Sequence, residues 1–276
     1  MKKAIALILA SVISFSLICG CGNSAAAEKE NATPTDADFI VNLGKGLEAR
    51  WALTNSEEYN DEATAAMSTA EQQKADTLFV NAELDAIGNL EDYQFEDAEL
   101  KTLAETYVKG LNLQKDGVTY VGTTDSTSYD RTWTLGYYYR AVCIAELYNN
   151  YGLTVDEKYK TDLNDFVAES TTAKKQIAIQ DFVDALPDKL SYVKDEETSD
   201  EWTTYYKTVI ENTTDYEIAN LEIDVDFLDA SGVVIAQTSD YLQNIQPGAK
   251  VQSKLMYSNN DGKFETMQYK VTAYTE

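Results

Sequence analysis

The chain has 276 residues, 47 of them acidic and 22 basic, with no histidine, three cysteines and a formal charge of −25. Lacking imidazole, it holds no Ser-His-Asp or Cys-His arrangement and offers zinc no histidine ligand; its charge repels polyanions and argues against nucleic acid as a partner. The length predicts two domains, and an apolar fraction of 44% suffices for packed cores.

Lys2 and Lys3 precede a short apolar run from Ala4 to Ile18, which predicts a secretory leader over residues 1–20, too short for a stable membrane span. Ile18-Cys19-Gly20-Cys21 resembles a lipobox, the bacterial lipoprotein signal. That resemblance implies lipidation of Cys21 and attachment to a bacterial membrane facing outward, through two acyl chains where one would anchor poorly. With Cys21 acylated and Cys19 in the leader, Cys143 is the remaining thiol and no internal disulfide is expected. Residues 21–36 are small and polar with one proline, the composition of a flexible tether.

From 37 to 194 the apolar period is helical and predicts a bundle domain. Phe39, Leu43, Leu47 and Trp51 form an i, i+4 stripe, and Ser68 with Glu71 has capping-box spacing before a helix carrying Ala75, Leu78, Phe79, Ala82 and Ala86. Leu100, Leu103, Tyr107 and Leu111 mark a third helix. The fourth carries Trp133, Tyr137, Arg140, Ile144, Leu147 and Tyr151, with Gly152 just past its end. Two more are expected, one through Leu163 and Phe166 and one from Ile177 to Leu186, stopped by Pro187. Gly117 to Ser128 reads as the longest loop or a small hairpin.

Asp195 to Glu201 is an acidic linker, and beyond it the period becomes two. Leu221, Ile223, Val225 and Phe227 alternate with Glu222, Asp224 and Asp226; Val251, Leu255 and Tyr257, and Met267, Tyr269, Val271 and Ala273, suggest further strands. Turn residues between them predict a small antiparallel β-sandwich over 202–276, so that the fold class is α+β, multidomain. Val209-Ile210-Glu211-Asn212-Thr213-Thr214, then Val225-Asp226-Phe227-Leu228-Asp229 with Gly232, then Ile245-Gln246-Pro247-Gly248, resemble the FxLYD domain over about 205–275. That resemblance implies an immunoglobulin-like sandwich of bacterial surface lipoproteins and no catalytic residues. Val225, Phe227 and Leu228 depart from the family's Phe, Leu and Tyr but stay apolar; Asp229 and Gly232 match. Ala82 to Gly88 is similar to helical lipoproteins of Gram-positive bacteria, with no activity implied.

Cys143 lies among Ala141, Val142, Ile144 and Ala145 and reads as a small buried hydrophobe; the alternative is a thiolate activated by Arg140. Asp224, Asp226 and Asp229, and Asn259 to Gly262 with Glu265, lack calcium-loop spacing and read as a solvated strand face and a turn, so no metal or cofactor is expected. Tyrosine occurs 19 times, most densely at Tyr137-Tyr138-Tyr139. Three consecutive helical positions cannot share one core, so one ring should be exposed or at an interface; Trp133, Tyr137, Tyr138 and Tyr139 are the candidate ligand-binding residues. The expected function is non-enzymatic: a lipid-anchored surface protein binding an envelope glycan, peptide or protein. The alternatives are an envelope hydrolase acting on glycan through paired carboxylates, and a structural spacer.

Overall fold

The computed structural model describes residues 33–274. The leader, Cys21 and all of the tether before residue 33 lie outside them. The last tether residues belong to the fold. The Pro34 carbonyl accepts from the Gln94 amide, Thr35 and Asp38 form a capping box, and Asp36 accepts from the amides of Glu96 and Asp97.

Among the described residues six α-helices precede six strands. The helices are α1 (Asp36–Thr54), α2 (Asp61–Ala65), α3 (Thr69–Ile87), α4 (Ala98–Val118), α5 (Ser126–Asn150) and α6 (Lys160–Ala185). The i, i+4 stripe of α1 is buried throughout. The Ser68–Glu71 capping box opens α3, where the amide and hydroxyl of Ser68 both donate to the Glu71 carboxylate at 2.8 and 2.6 Å. On α3 the inward face is rotated from the predicted one. Leu78 is 38% exposed, while Asp76 and Glu83 point inward with Phe79 and Val80. Gly152, at φ +73°, ends α5 as expected, with the Leu153 amide reaching the Leu147 carbonyl. The expected long loop after Gly117 shortens to residues 119–125, because α4 runs on through Val118 and Asp125 caps α5. Two predicted helices are one: α6 continues from Lys160 to Ala185 before Pro187. Residues 168–176 carry no large apolar side chain and interrupt the stripe without breaking the helix, because neither glycine nor proline is among them.

The strands are β1 (Val193–Lys194), β2 (Thr203–Glu211), β3 (Ile218–Leu228), β4 (Val234–Ile245), β5 (Lys250–Ser258) and β6 (Thr266–Tyr274). They form two antiparallel sheets, ordered β1-β2-β5 and β4-β3-β6. The alternation in β3 is realised residue for residue, with Leu221, Ile223, Val225 and Phe227 buried. Ile210, Leu255 and Tyr257 of the first sheet and Val271 of the second join them in one core. Buried Asn212 ties its corner. Its amide nitrogen donates to the carbonyls of Tyr216 and Ile245, and its carbonyl oxygen accepts from the Thr214 amide.

Residues 195–201, expected as a linker, form the connection between β1 and β2. Asp195 is buried there, accepting from Lys207 Nζ at 2.9 Å and Thr198 Oγ1 at 2.8 Å, with Lys254 Nζ 3.5 Å away. Lys207 first, then Thr198, holds its carboxyl down to about 2. The last turns of α6 leave the helical core and enter the sheet core: Ile179, Phe182, Val183 and Leu186 pack with the strands, and α6 lies against β6. This junction positions the site.

Candidate functional site

The helical core encloses a polar cluster. Glu83 Oε1 accepts from Arg50 Nη1 at 3.0 Å and from Arg140 Nη2, while the Tyr107 hydroxyl donates to Oε2. Gln114 Oε1 accepts from Arg50 and Arg140 at 3.0 and 3.1 Å. Arg140 Nε, buried with the rest, has no acceptor among the described residues. Farther along α3, Asp76 accepts from Gln72 at 2.8 Å and from the Tyr129 hydroxyl at 3.2 Å. Burial pushes the Tyr107 phenol and the Asp76 carboxyl up. Arg50, the most exposed member of the Glu83 cluster, is 8% accessible, so these groups tie helices together in a region closed to solvent. Cys143 is fully buried and its thiol is pushed up to about 12 by that burial, which keeps it protonated and unreactive at neutral pH.

The four aromatic candidates separate around α5, as a 100° step per residue requires. Trp133 is half-buried, stacked on Tyr129 with the Arg50 guanidinium 5.7 Å from its ring. Tyr139 is buried under Lys109, whose ammonium lies 4.0 Å from the ring centroid and donates to the hydroxyl at 2.8 Å. Tyr137 packs on Phe166 of α6 at 4.9 Å, and Tyr138 meets Tyr137 edge-on at 6.0 Å. Of the four, Tyr138 lines an open groove.

That groove, of about 460 Å³, runs between the α5–α6 pair and β6. Leu135 and Tyr138 from α5, Val183 from α6, and Val271 and Ala273 from β6 give it an apolar floor. Asp130, Arg131, Thr134, Gln176, Gln180 and Thr272 supply polar groups at its sides. Arg131 forms an ion pair with Asp184 across the two helices. Tyr274 is 53% exposed at one end, its hydroxyl donating to Glu222 at 2.9 Å. An apolar floor with a few placed polar groups is the usual composition of a ligand site. Sequence reasoning reached Tyr138 and missed Gln176, Gln180, Thr272 and Tyr274, because no local pattern brings α6 and β6 beside Tyr138, from which Gln176 is 38 and Thr272 is 134 residues along the chain.

Asp224 and Asp226 share the outer face of β3 and accept from Ser239 and Gln237, each at 2.7 Å, whereas Asp229 turns away to cap the hairpin amides of Ser231 and Val233. Among the described residues no three carboxylates or thiols converge as a metal site would need, and no helix is long and apolar enough to cross a membrane. No protein-family profile, no curated protein and no solved structure matches the chain.

Proposed function

We propose that this is a lipid-anchored binding protein on the outer face of a bacterial membrane, held through Cys21, with the α5–α6–β6 groove as its ligand site. The two sheets, in this reading, are an immunoglobulin-like sandwich of FxLYD type. The groove carries the binding reading: apolar floor, tyrosines that pair a broad apolar face with a polar tip, and amide and hydroxyl groups along the sides. Hydrolysis of a glycan needs two carboxyl groups about 5–10 Å apart across the substrate. Among the described residues lining the groove, Asp130 is the one carboxylate, which favours binding over hydrolysis. The lipobox Ile18 to Cys21 supports the anchor.

Thermal unfolding against envelope glycans, peptides and divalent cations tests the function. A ligand present at a hundred times its Kd raises stability by about 2.7 kcal/mol, a saturable increase of several degrees in Tm. Flat curves with every class would remove the binding reading. For the anchor, Cys21→Ala should move the protein from the membrane fraction to the soluble one, and retention in the membrane would rule out acylation at that site.

A further inference from the structure

Four consecutive residues of β6, Val271 to Tyr274, line the groove. Val271 and Ala273 oppose Ile223 and Leu221 on the core side, while Thr272 and Tyr274 oppose Glu222 and Asn220 on the outer side. A cavity that touches both sets in unbroken order meets the strand along its edge, since either face alone would offer every second residue. β6 ends its sheet and pairs with β3 alone. In an antiparallel pair alternate residues aim their N–H and C=O groups away from the partner, so β6 turns main-chain donors and acceptors into the groove. The opposite wall is a helix surface carrying Leu135 and Tyr138.

We infer that the groove takes an extended peptide, laid along β6 as an added strand. This rests on the binding function proposed above and names its ligand class. A strand edge facing an apolar helix surface is the arrangement by which strand addition works: main-chain hydrogen bonds give affinity, and alternate side chains enter the apolar wall. The donors and acceptors of β6 recur every second residue, about 6.8 Å apart, which is the repeat of an extended peptide. A saccharide has no such period. Charge sets the peptide's character. Arg131 is already neutralised by Asp184, Asp130 stands at the groove, and the chain carries −25. The occupant is therefore neutral to basic, with any cationic side chain beside Asp130.

The test begins with selection from a random peptide display library on the immobilised full chain, followed by synthesis of the enriched sequences with blocked ends. Binding should weaken at least tenfold in Thr134→Trp, which fills the groove from an exposed helix position and leaves Tm unchanged. N-methylation at alternate peptide residues should cost about tenfold in one register and little in the other, as each lost main-chain hydrogen bond predicts. The alternate amides of 271–274 that point away from β3 should gain hydrogen-exchange protection when peptide is added. Equal tolerance of N-methylation in both registers would overturn strand addition, and binding unaffected by Thr134→Trp would move the peptide off this groove. Failure to enrich any peptide, together with a Tm rise from chitin or peptidoglycan fragments, would overturn the peptide and leave the binding function standing. Failure of both probes would remove the two together.

Discussion

Glu83 is the residue on which the helical core most depends. It balances two guanidiniums in a region sealed from water, and without it Arg50 and Arg140 would face each other uncompensated. Removing one partner from a buried ionic cluster costs about 3–5 kcal/mol, mostly because the remaining charge stays desolvated. Glu83→Gln keeps the shape and deletes the charge. Its urea midpoint should fall by that equivalent at unchanged m value, and a loss under 1 kcal/mol would mean water reaches the cluster. Part of this arrangement was legible beforehand. Arg140 sits on the apolar stripe of its helix between Tyr137 and Ile144, so an inward guanidinium was already implied. Glu83 and Asp76 were not, because an acid between apolar helix positions reads as solvated until arginine and tyrosine arrive from other helices. Among the aromatic candidates, the splay of Tyr137 to Tyr139 followed from helix geometry, but which ring would face an opening depended on where β6 lay.

The packing of α4 on α5 turns on two glycines. A Cβ on Gly136 would stand 2.5 Å from the Gly110 carbonyl oxygen, and one on Gly110 would stand 2.8 Å from that of Gly136. Backbone meets backbone there, so no flexible side chain can yield. Alanine in a helix gains about 1 kcal/mol over glycine in propensity, yet forcing the helices apart costs about 1–3 kcal/mol and disturbs the Gln114 contacts beside it. Gly136→Ala should therefore lower Tm by several degrees; a higher Tm would show that the crossing is loose. The β1–β2 connection offers a test by pH. Asp195 titrates near 2 when folded against about 3.9 in an unfolded chain, so its contribution is complete above roughly pH 5 and disappears as pH falls toward 2. Tm measured across that range should show Asp195→Asn clearly below the parent at pH 6 and level with it near pH 2. A constant gap would mean the carboxylate charge is irrelevant. Elements with strict local signals, such as β3, the apolar stripe of α1 and the capped start of α3, were readable in advance. The unbroken α6 and the short β1 were not, since one depends on propensity bridging a gap in the stripe and the other on two residues recruited by pairing with Lys207 and Tyr206.

Charge and composition place a boundary near residue 195, and side-chain packing runs across it. The described residues from Thr33 onward pack as one compact unit, because the end of α6 supplies part of the wall of the sheet core. Ile179, Phe182, Val183 and Leu186 are each at most 8% exposed in that core, and Tyr192, just beyond, stacks on Tyr269 and meets the Ser253 hydroxyl at 2.5 Å. A fragment of residues 202–276 would lack all five side chains together with β1 and Asp195. Full burial of large apolar side chains is worth about 1.5–3 kcal/mol each. Four such residues approach the whole stability of a small domain, about 5–15 kcal/mol. The fragment should thus give a collapsed, poorly dispersed amide spectrum and no cooperative urea transition, while one spanning 176–276 should recover both if α6 is the missing wall. Cooperative folding of 202–276 alone would show instead that the sheets close their own core and that α6 merely leans on it. The same outcome bears on the groove, whose β6 edge is held against α5 only as long as this shared core stays intact.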